Sequence, residues 1–213
     1  MLLLTIGTFS IVAIEKRSRL MGVAVASKSL AVGSRVPWAK AGVGVIATQA
    51  HTNIMYGIKG LELLERGYHP SDALQTLLRE DESAAFRQVC IMNSEGNIAA
   101  HTGPECPEYA DHIVGEDFCV AGNLLTDETV LRDMAVAFQN TKGPFPMRLL
   151  EALRAGKAAG GDRRGHSAAA ILVVRTDIFD VTRPWELNLR IDYSNTPIED
   201  LIKLYKIIST SVF

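Results

Sequence analysis

The chain has 213 residues, 47% hydrophobic and 22% charged, enough apolar material for a substantial core. A formal net charge of −2, with basic clusters no longer than Lys16–Arg19 and Arg163-Arg164, argues against binding to nucleic acid or to an anionic membrane. Three widely spaced cysteines, Cys90, Cys106 and Cys119, with no CxxC pair, argue against a disulfide framework or zinc knuckle and favour a reducing cytoplasm.

Met1–Gly7 has a short apolar run without a basic flank, and no run approaches the roughly 18 residues of a membrane helix. Residues 1–7 therefore read as an extension before the first core strand of a single 1–213 domain. Thr8–Ile14 alternates and is β-branched, while Leu20–Ser27 and Ala41–Ala50 are almost unbroken small-apolar runs. All three predict strands, the last two covered on both faces, with Lys28–Lys40 as a connection. The third run turns abruptly polar at Thr48, Gln49, His51, Thr52 and Asn53, where a site is expected.

Asn53 is a plausible N-cap for a helix carrying Met55, Ile58, Leu61 and Leu64 and stopped by Gly67. Ser71 or Asp72 then caps a second helix through Arg79. Phe86–Met92 and Asn97–Thr102 predict a hairpin around Gly96, Gly103–Gly115 a loop, and Asp117–Leu125 a strand. Asp127 caps a helix to about Asn140, and a further helix spans Met147 to Ala159, ended by Gly160-Gly161. Ser167–Arg175 and Trp185–Tyr193 predict strands. Thr196-Pro197-Ile198-Glu199 combines a capping box with proline at the first helical position, which starts a last helix. The order fits an α+β protein, a four-layer αββα sandwich of two antiparallel sheets covered by helices on both outer sides.

No phosphate loop or GxSxG elbow is present, so candidate chemistry lies in the polar clusters at element ends. Thr48, His51, Thr52, Asn53, His101, His112, Asn123, Asp162 and Arg164 are the candidate binding residues. The glycines beside Asp162 and Arg164 permit close backbone approach to a ligand, and Arg164 can pair with a carboxylate. The same motif also fits a helix C-cap followed by a structural salt bridge. The histidines lack HxH or HxxxH spacing, so neither a metal nor a cofactor is implied, although His101, Cys106 and His112 form a weaker metal-hydrolase alternative. Trp38 reads as packing.

The segments TFSIVA at Thr8–Ala13, GVAVAS at Gly22–Ser27, AVGSRVPWAKAGVGVIATQA at Ala31–Ala50, AAHTG at Ala99–Gly103, Gly122-Asn123 and GGDxRG at Gly160–Gly165 together resemble the domain-of-unknown-function family 1028. That family is regarded as similar to N-terminal nucleophile (Ntn) hydrolases. The resemblance implies the αββα sandwich and an amide-hydrolysing mechanism, in which a chain-terminal Thr, Ser or Cys attacks a carbonyl with its own α-amine as base. An α-amine suits that role because its pKa, about 8, is near working pH. Thr8 is the nucleophile so implied, with Ser27 and Lys40 next by position, Lys40 to depress the amine pKa. Thr48, Asn53 and Asn123 are the expected oxyanion donors.

This sequence departs from the pattern because Met1–Gly7 precede Thr8 and tie its nitrogen into a peptide bond. A later start, processing in the native host, or a mechanism other than Ntn are the alternatives. The expected activity is hydrolysis of a small amide or peptide bond. The other reading is a non-catalytic or differently catalytic protein that binds a small polar ligand on the same fold. The expected partner is a small-molecule substrate or ligand, and the expected assembly a cytoplasmic homodimer.

Overall fold

A computed structural model of the chain describes residues 7–177, 182 and 184–210; residues 1–6 of the expected extension lie outside that range. Ten strands and five α-helices occur among the described residues. The strands are β1 (Thr8–Glu15), β2 (Leu20–Ser27), β3 (Pro37–Lys40), β4 (Gly44–Ala50), β5 (Arg87–Asn93), β6 (Ile98–Thr102), β7 (Asp111–Val114), β8 (Phe118–Asn123), β9 (Ala168–Arg175) and β10 (Leu187–Ile191). The helices are α1 (Met55–Glu65), α2 (Pro70–Arg79), α3 (Thr129–Asn140), α4 (Phe145–Ala158) and α5 (Pro197–Thr210).

The strands form two antiparallel sheets, one ordered β10-β9-β2-β1-β8-β7 and the other β3-β4-β5-β6. The period of two in each strand then decides which layer a side chain enters. From β1, Phe9, Ile11 and Ala13 join Met134 and Phe138 of α3, Leu149 and Leu153 of α4, and Ile198 and Leu201 of α5. Val12 and Ile14 of the same strand face the second sheet, with Val45 and Ala47 of β4 and Cys90 and Met92 of β5. On the far side of β4 and β5, Ile46, Val89 and Ile91 pack on Tyr56 and Leu64 of α1 and on Leu74 and Leu77 of α2. The layers are therefore αββα. Every core strand is covered twice, which is why these segments read as continuous apolar runs.

Several boundaries differ from the sequence reading, each for a local reason. The run Ala41–Ala50 is interrupted by a turn at Gly42 (φ +73°), so its strand starts at Gly44. Pro37–Lys40, expected as connection, pairs with it as β3. Within the expected loop Gly103–Gly115, Asp111–Val114 forms edge strand β7 on β8, with exposed residues that carry no burial pattern. His69 rather than Ser71 or Asp72 caps α2, because Pro70 occupies the first helical position. Phe145 and Pro146 extend α4 two residues before Met147.

Asn53 accepts from the Met55 N–H at 3.0 Å, as its expected capping role requires, and Asp127 accepts from the Thr129 N–H at 2.8 Å. Trp38 is packing: its indole lies across Gly57 of α1, where an added Cβ would sit 2.2 Å from the ring. No helix among the described residues is long and apolar enough to cross a membrane.

Candidate active site

The layer between the sheets is apolar along most of its length and polar at one end. On the alternation that points Val12 inward, Ser10 and Thr8 of β1 also face the second sheet, and so do Ser27 of β2 and Asn123 of β8. From the second sheet, Gln49 of β4 and Gln88 of β5 continue the inward series begun by Ala47 and Cys90. All six are at most 1% exposed. A cluster of buried polar side chains in the middle of a sandwich costs stability unless it is fully bonded, which makes it the candidate site.

Thr8 sits opposite Ser27 on one side and Asn123 on the other. Its hydroxyl is 2.7 Å from the Gly7 carbonyl oxygen and 3.3 Å from Ser27 Oγ. Ser27 Oγ donates to the same Gly7 oxygen at 2.6 Å and accepts from the Ser29 N–H at 2.9 Å. Arg164 Nη2 also donates to Gly7 O, at 3.0 Å. Arg164 is held by Asp162: Nε and the main-chain N–H reach Oδ1 at 3.0 Å each, and Nη2 reaches Oδ2 at 2.7 Å. The Lys28 N–H completes the Asp162 carboxylate at 3.1 Å. Asp162 lies against Gly7 so closely that any side chain at position 7 would strike its carboxyl group.

The glutamine end of the cluster is organised by Gln88. Its Nε2, with two hydrogens, lies within hydrogen-bond distance of three acceptors: Gly122 O at 2.8 Å, Asp111 O at 3.0 Å and Thr102 Oγ1 at 3.0 Å. Its Oε1 accepts from Gln49 Nε2 at 2.8 Å and Asn123 Nδ2 at 2.9 Å. Thr102 bonds His112 Nδ1 at 2.8 Å. Burial lowers the His112 pKa, disfavouring the charged ring.

A model of the family of unknown function DUF1028 matches residues 8–201. This chain belongs to DUF1028. The crystal structure of protein SPO2555 from Silicibacter pomeroyi, itself assigned to DUF1028, superposes with a TM-score of 0.88 at 36% identity, over 96% of this chain and 87% of that one. Anbu, an ancestral beta-subunit from Yersinia bercovieri, aligns over 97% of this chain and 98% of its own at 11% identity, but a TM-score of 0.40 is too low to bear on fold or function. No curated protein matches.

In this DUF1028 chain the candidates drawn from sequence separate into two groups. Thr8, Ser27, Asn123, Asp162 and Arg164 converge, and His112 joins them through Thr102 and Gln88. Lys40 does not. It pairs with Gly44 and binds Glu65 at 2.6 Å, and the nearby Gly42 N–H donates to Arg175 O, which lies opposite Leu20. Leu20 and Ser27 are at opposite ends of β2, about 23 Å apart at strand rise. The cation beside Thr8 is Arg164 instead.

Thr48, His51, Thr52 and Asn53 build a structural corner. Thr48 points into the helical layer, one residue out of phase with Gln49, and donates to Asn53 O at 3.2 Å. Asn53 Nδ2 donates to Asp81 at 3.3 Å, and Thr52 to Ala50 O at 3.4 Å. The His51 ring lies 5.4 Å from that of Phe86. Thr48 and Asn53, expected as oxyanion donors, are thus bonded within this corner, and the NH2 group of Asn123 is committed to Gln88. His101 bonds Ala84 O at 3.0 Å and Cys106 bonds Arg87 O at 3.3 Å. No three His, Cys, Asp or Glu residues among those described are arranged to hold a metal.

Gln49 lies in the polar run already singled out in the sequence, whereas Gln88 was within reach only through strand register. Gln49 and Asn123 are each followed by strained backbone: Ala50 and Leu124 occupy the left-handed region at φ +63° and +52°. Two non-glycine outliers that end the strands bearing the site fit a cluster held in place at a cost in strain.

Proposed function

We propose that this DUF1028 protein hydrolyses a small amide or peptide bond with the Thr8 hydroxyl as nucleophile once the Thr8 α-amine is free. The observation that carries this reading is the Gly7 carbonyl oxygen, which receives Thr8 Oγ1, Ser27 Oγ and Arg164 Nη2 together. Donors gathered on one carbonyl oxygen draw electrons from its carbon and stabilise the negative charge that attack would create, each worth about 3 kcal/mol when well placed. A substrate carbonyl in the position of Gly7 O meets the same Ser27 and Arg164 donors, with the Thr8 hydroxyl beside it.

The freed amine accepts the hydroxyl proton and later returns it to the leaving nitrogen; water then hydrolyses the ester on Thr8. Asp162 orients Arg164 and balances its charge. Family alignment beginning at Thr8 supports the same reading.

The test is hydrolysis of a panel of small amides and peptides by a chain beginning at Thr8, beside the full-length chain and Thr8→Ala and Ser27→Ala forms. Activity confined to the freed Thr8 chain is expected, with a loss of a hundredfold or more in Thr8→Ala; equal rates in all four would refute it. In the other reading, a binding protein without catalysis, the Thr8 nitrogen stays joined to Gly7. The N-terminal residue of the protein isolated from its own cells separates the two, with Thr8 expected for the hydrolase. The homodimer and the cytoplasmic location stay proposals, checked by sedimentation and by fractionation.

A further inference from the structure

The amide groups of the Gln49–Gln88–Asn123 cluster have only one consistent orientation. Gln88 Nε2 faces the main-chain oxygens of Gly122 and Asp111, which can only accept, so that atom is the NH2 group. Gln88 Oε1 must then be the acceptor, and both Gln49 and Asn123 must turn their NH2 groups toward it. Flipping either would set oxygen against oxygen. The consequence is that Gln49 Oε1 and Asn123 Oδ1 face away from the relay, fully buried and without a donor, and Ser10 Oγ in the same layer also lacks a partner. A buried acceptor left unpaired costs about 1–3 kcal/mol.

We propose that Gln49 Oε1 and Asn123 Oδ1 form an acceptor subsite for the N–H donors of a neutral carboxamide, which makes primary amides the substrate class. Asn123 is the register partner of Thr8, so the subsite adjoins the nucleophile. The acceptors are neutral carbonyls and no carboxylate joins their bonds among the described residues, which matches an uncharged NH2 group better than a cation that must shed its water. A carboxylate in the same place meets two like partial charges, and a dialkylated amide has no hydrogen to offer.

This proposal rests on the reading of the site as an amide hydrolase, but it concerns binding and is tested by binding. The probes are propionamide, N,N-dimethylpropionamide and propionate, titrated into the full-length chain and followed by ligand-observed NMR. Propionamide is expected to bind at least tenfold more tightly than the other two, and Gln49→Met to erase the difference. Equal affinity of the two amides, absence of binding by all three, or discrimination that survives in Gln49→Met overturns the subsite. Because Gln49→Met also removes a donor from Gln88, the comparison in the unaltered chain decides alone if that variant does not fold. Discrimination without hydrolysis by the freed Thr8 chain would sink the Thr8 mechanism and leave the subsite standing.

A second observation stands apart from this one. Cys90 of β5 and Cys119 of β8 face each other across the sheets with their sulfurs 2.7 Å apart, both buried. We infer that, in an oxidising compartment rather than the reducing cytoplasm expected from the sequence, they are a cross-linking pair that ties the strand carrying Gln88 to the strand carrying Asn123. With glutathione disulfide as oxidant, one cysteine displaces a glutathione thiol to form a mixed disulfide; the second attacks it, releasing another, and both cysteine protons pass to the two thiols. Burial raises the Cys119 pKa, so its thiol stays protonated in the folded chain and the bond forms during folding. Refolding the full chain in glutathione buffer, then titrating thiols in denaturant, is expected to leave Cys106 alone reactive, with two free thiols in Cys119→Ser. Three reactive thiols, or a bond involving Cys106, overturns the inference.

Discussion

Replacing Gln88 by leucine keeps the volume of the side chain and removes every bond that organises the glutamine cluster. The Gly122 carbonyl and the NH2 groups of Gln49 and Asn123 each lose their partner from Gln88 in a place where leucine offers none. At about 1–3 kcal/mol for each buried group left unpaired, and with some relaxation of the two longer side chains, the cost is about 3–6 kcal/mol. That is a large share of the 5–15 kcal/mol typical of a whole domain. For a chain of this size each kcal/mol moves the melting temperature by about 2–4 °C, so Gln88→Leu is expected to melt about 6–24 °C below the parent. Calorimetry measures it directly. A useful reference is Lys59→Ala, which removes an exposed ion pair with Glu80 and should cost under about 1 kcal/mol. If Gln88→Leu melted within 2 °C of the parent, the relay would not be bonded as described and the fixed orientation of the neighbouring amides would fall with it.

Three further expectations follow from other parts of the molecule. Asp162→Asn leaves the Arg164 guanidinium without its buried carboxylate, and should cost about 2–4 kcal/mol in urea unfolding and loosen the grip on Gly7 O; a loss under 0.5 kcal/mol would contradict that role. The side-chain bond from Arg87, with further donors from Ser83 and Asn53, holds the Asp81 pKa at about 2. Since the folded value lies below the unfolded one, this carboxylate stabilises the protein above pH ~4, and that contribution, about 1–2 kcal/mol, is lost as pH falls from 4 to 2. An Arg87→Met form should show a shallower decline over that range, and an identical slope would refute the assignment. Gly57→Ala drives a methyl into the Trp38 ring and is expected to cost about 1–3 kcal/mol with a shift in tryptophan emission; an unchanged spectrum and stability would refute the contact.

The layers of the fold were legible because burial on both faces writes itself into composition: Leu20–Ser27 and Ser167–Arg175 admit almost no polar residue until their ends. The same property hid the site. On a strand covered twice, alternation no longer distinguishes one face from the other, so Thr48 and Gln49 looked equivalent although they enter different layers. Lys40 was misplaced because the interruption at Gly42 turns a single apolar run into a hairpin whose far end carries the lysine away from Thr8. Of the two readings weighed for Asp162 and Arg164, the structure has the salt bridge, and Arg164 also donates to the Gly7 carbonyl oxygen. Gln88 had no local signal at all, since its importance comes from strands β6, β7 and β8 arriving around it.

The central claim is that the Thr8 hydroxyl is a nucleophile, and acyl trapping tests it most directly. A small β-lactone, whose strained ring opens on attack to leave an ester, would be offered to a chain beginning at Thr8, to the full-length chain and to a chain beginning at Ala in its place, followed by peptide mass mapping. One acyl group on the Thr8 hydroxyl of the first chain alone is the result this account predicts. Acylation of all three chains at another residue, or of none, would contradict it.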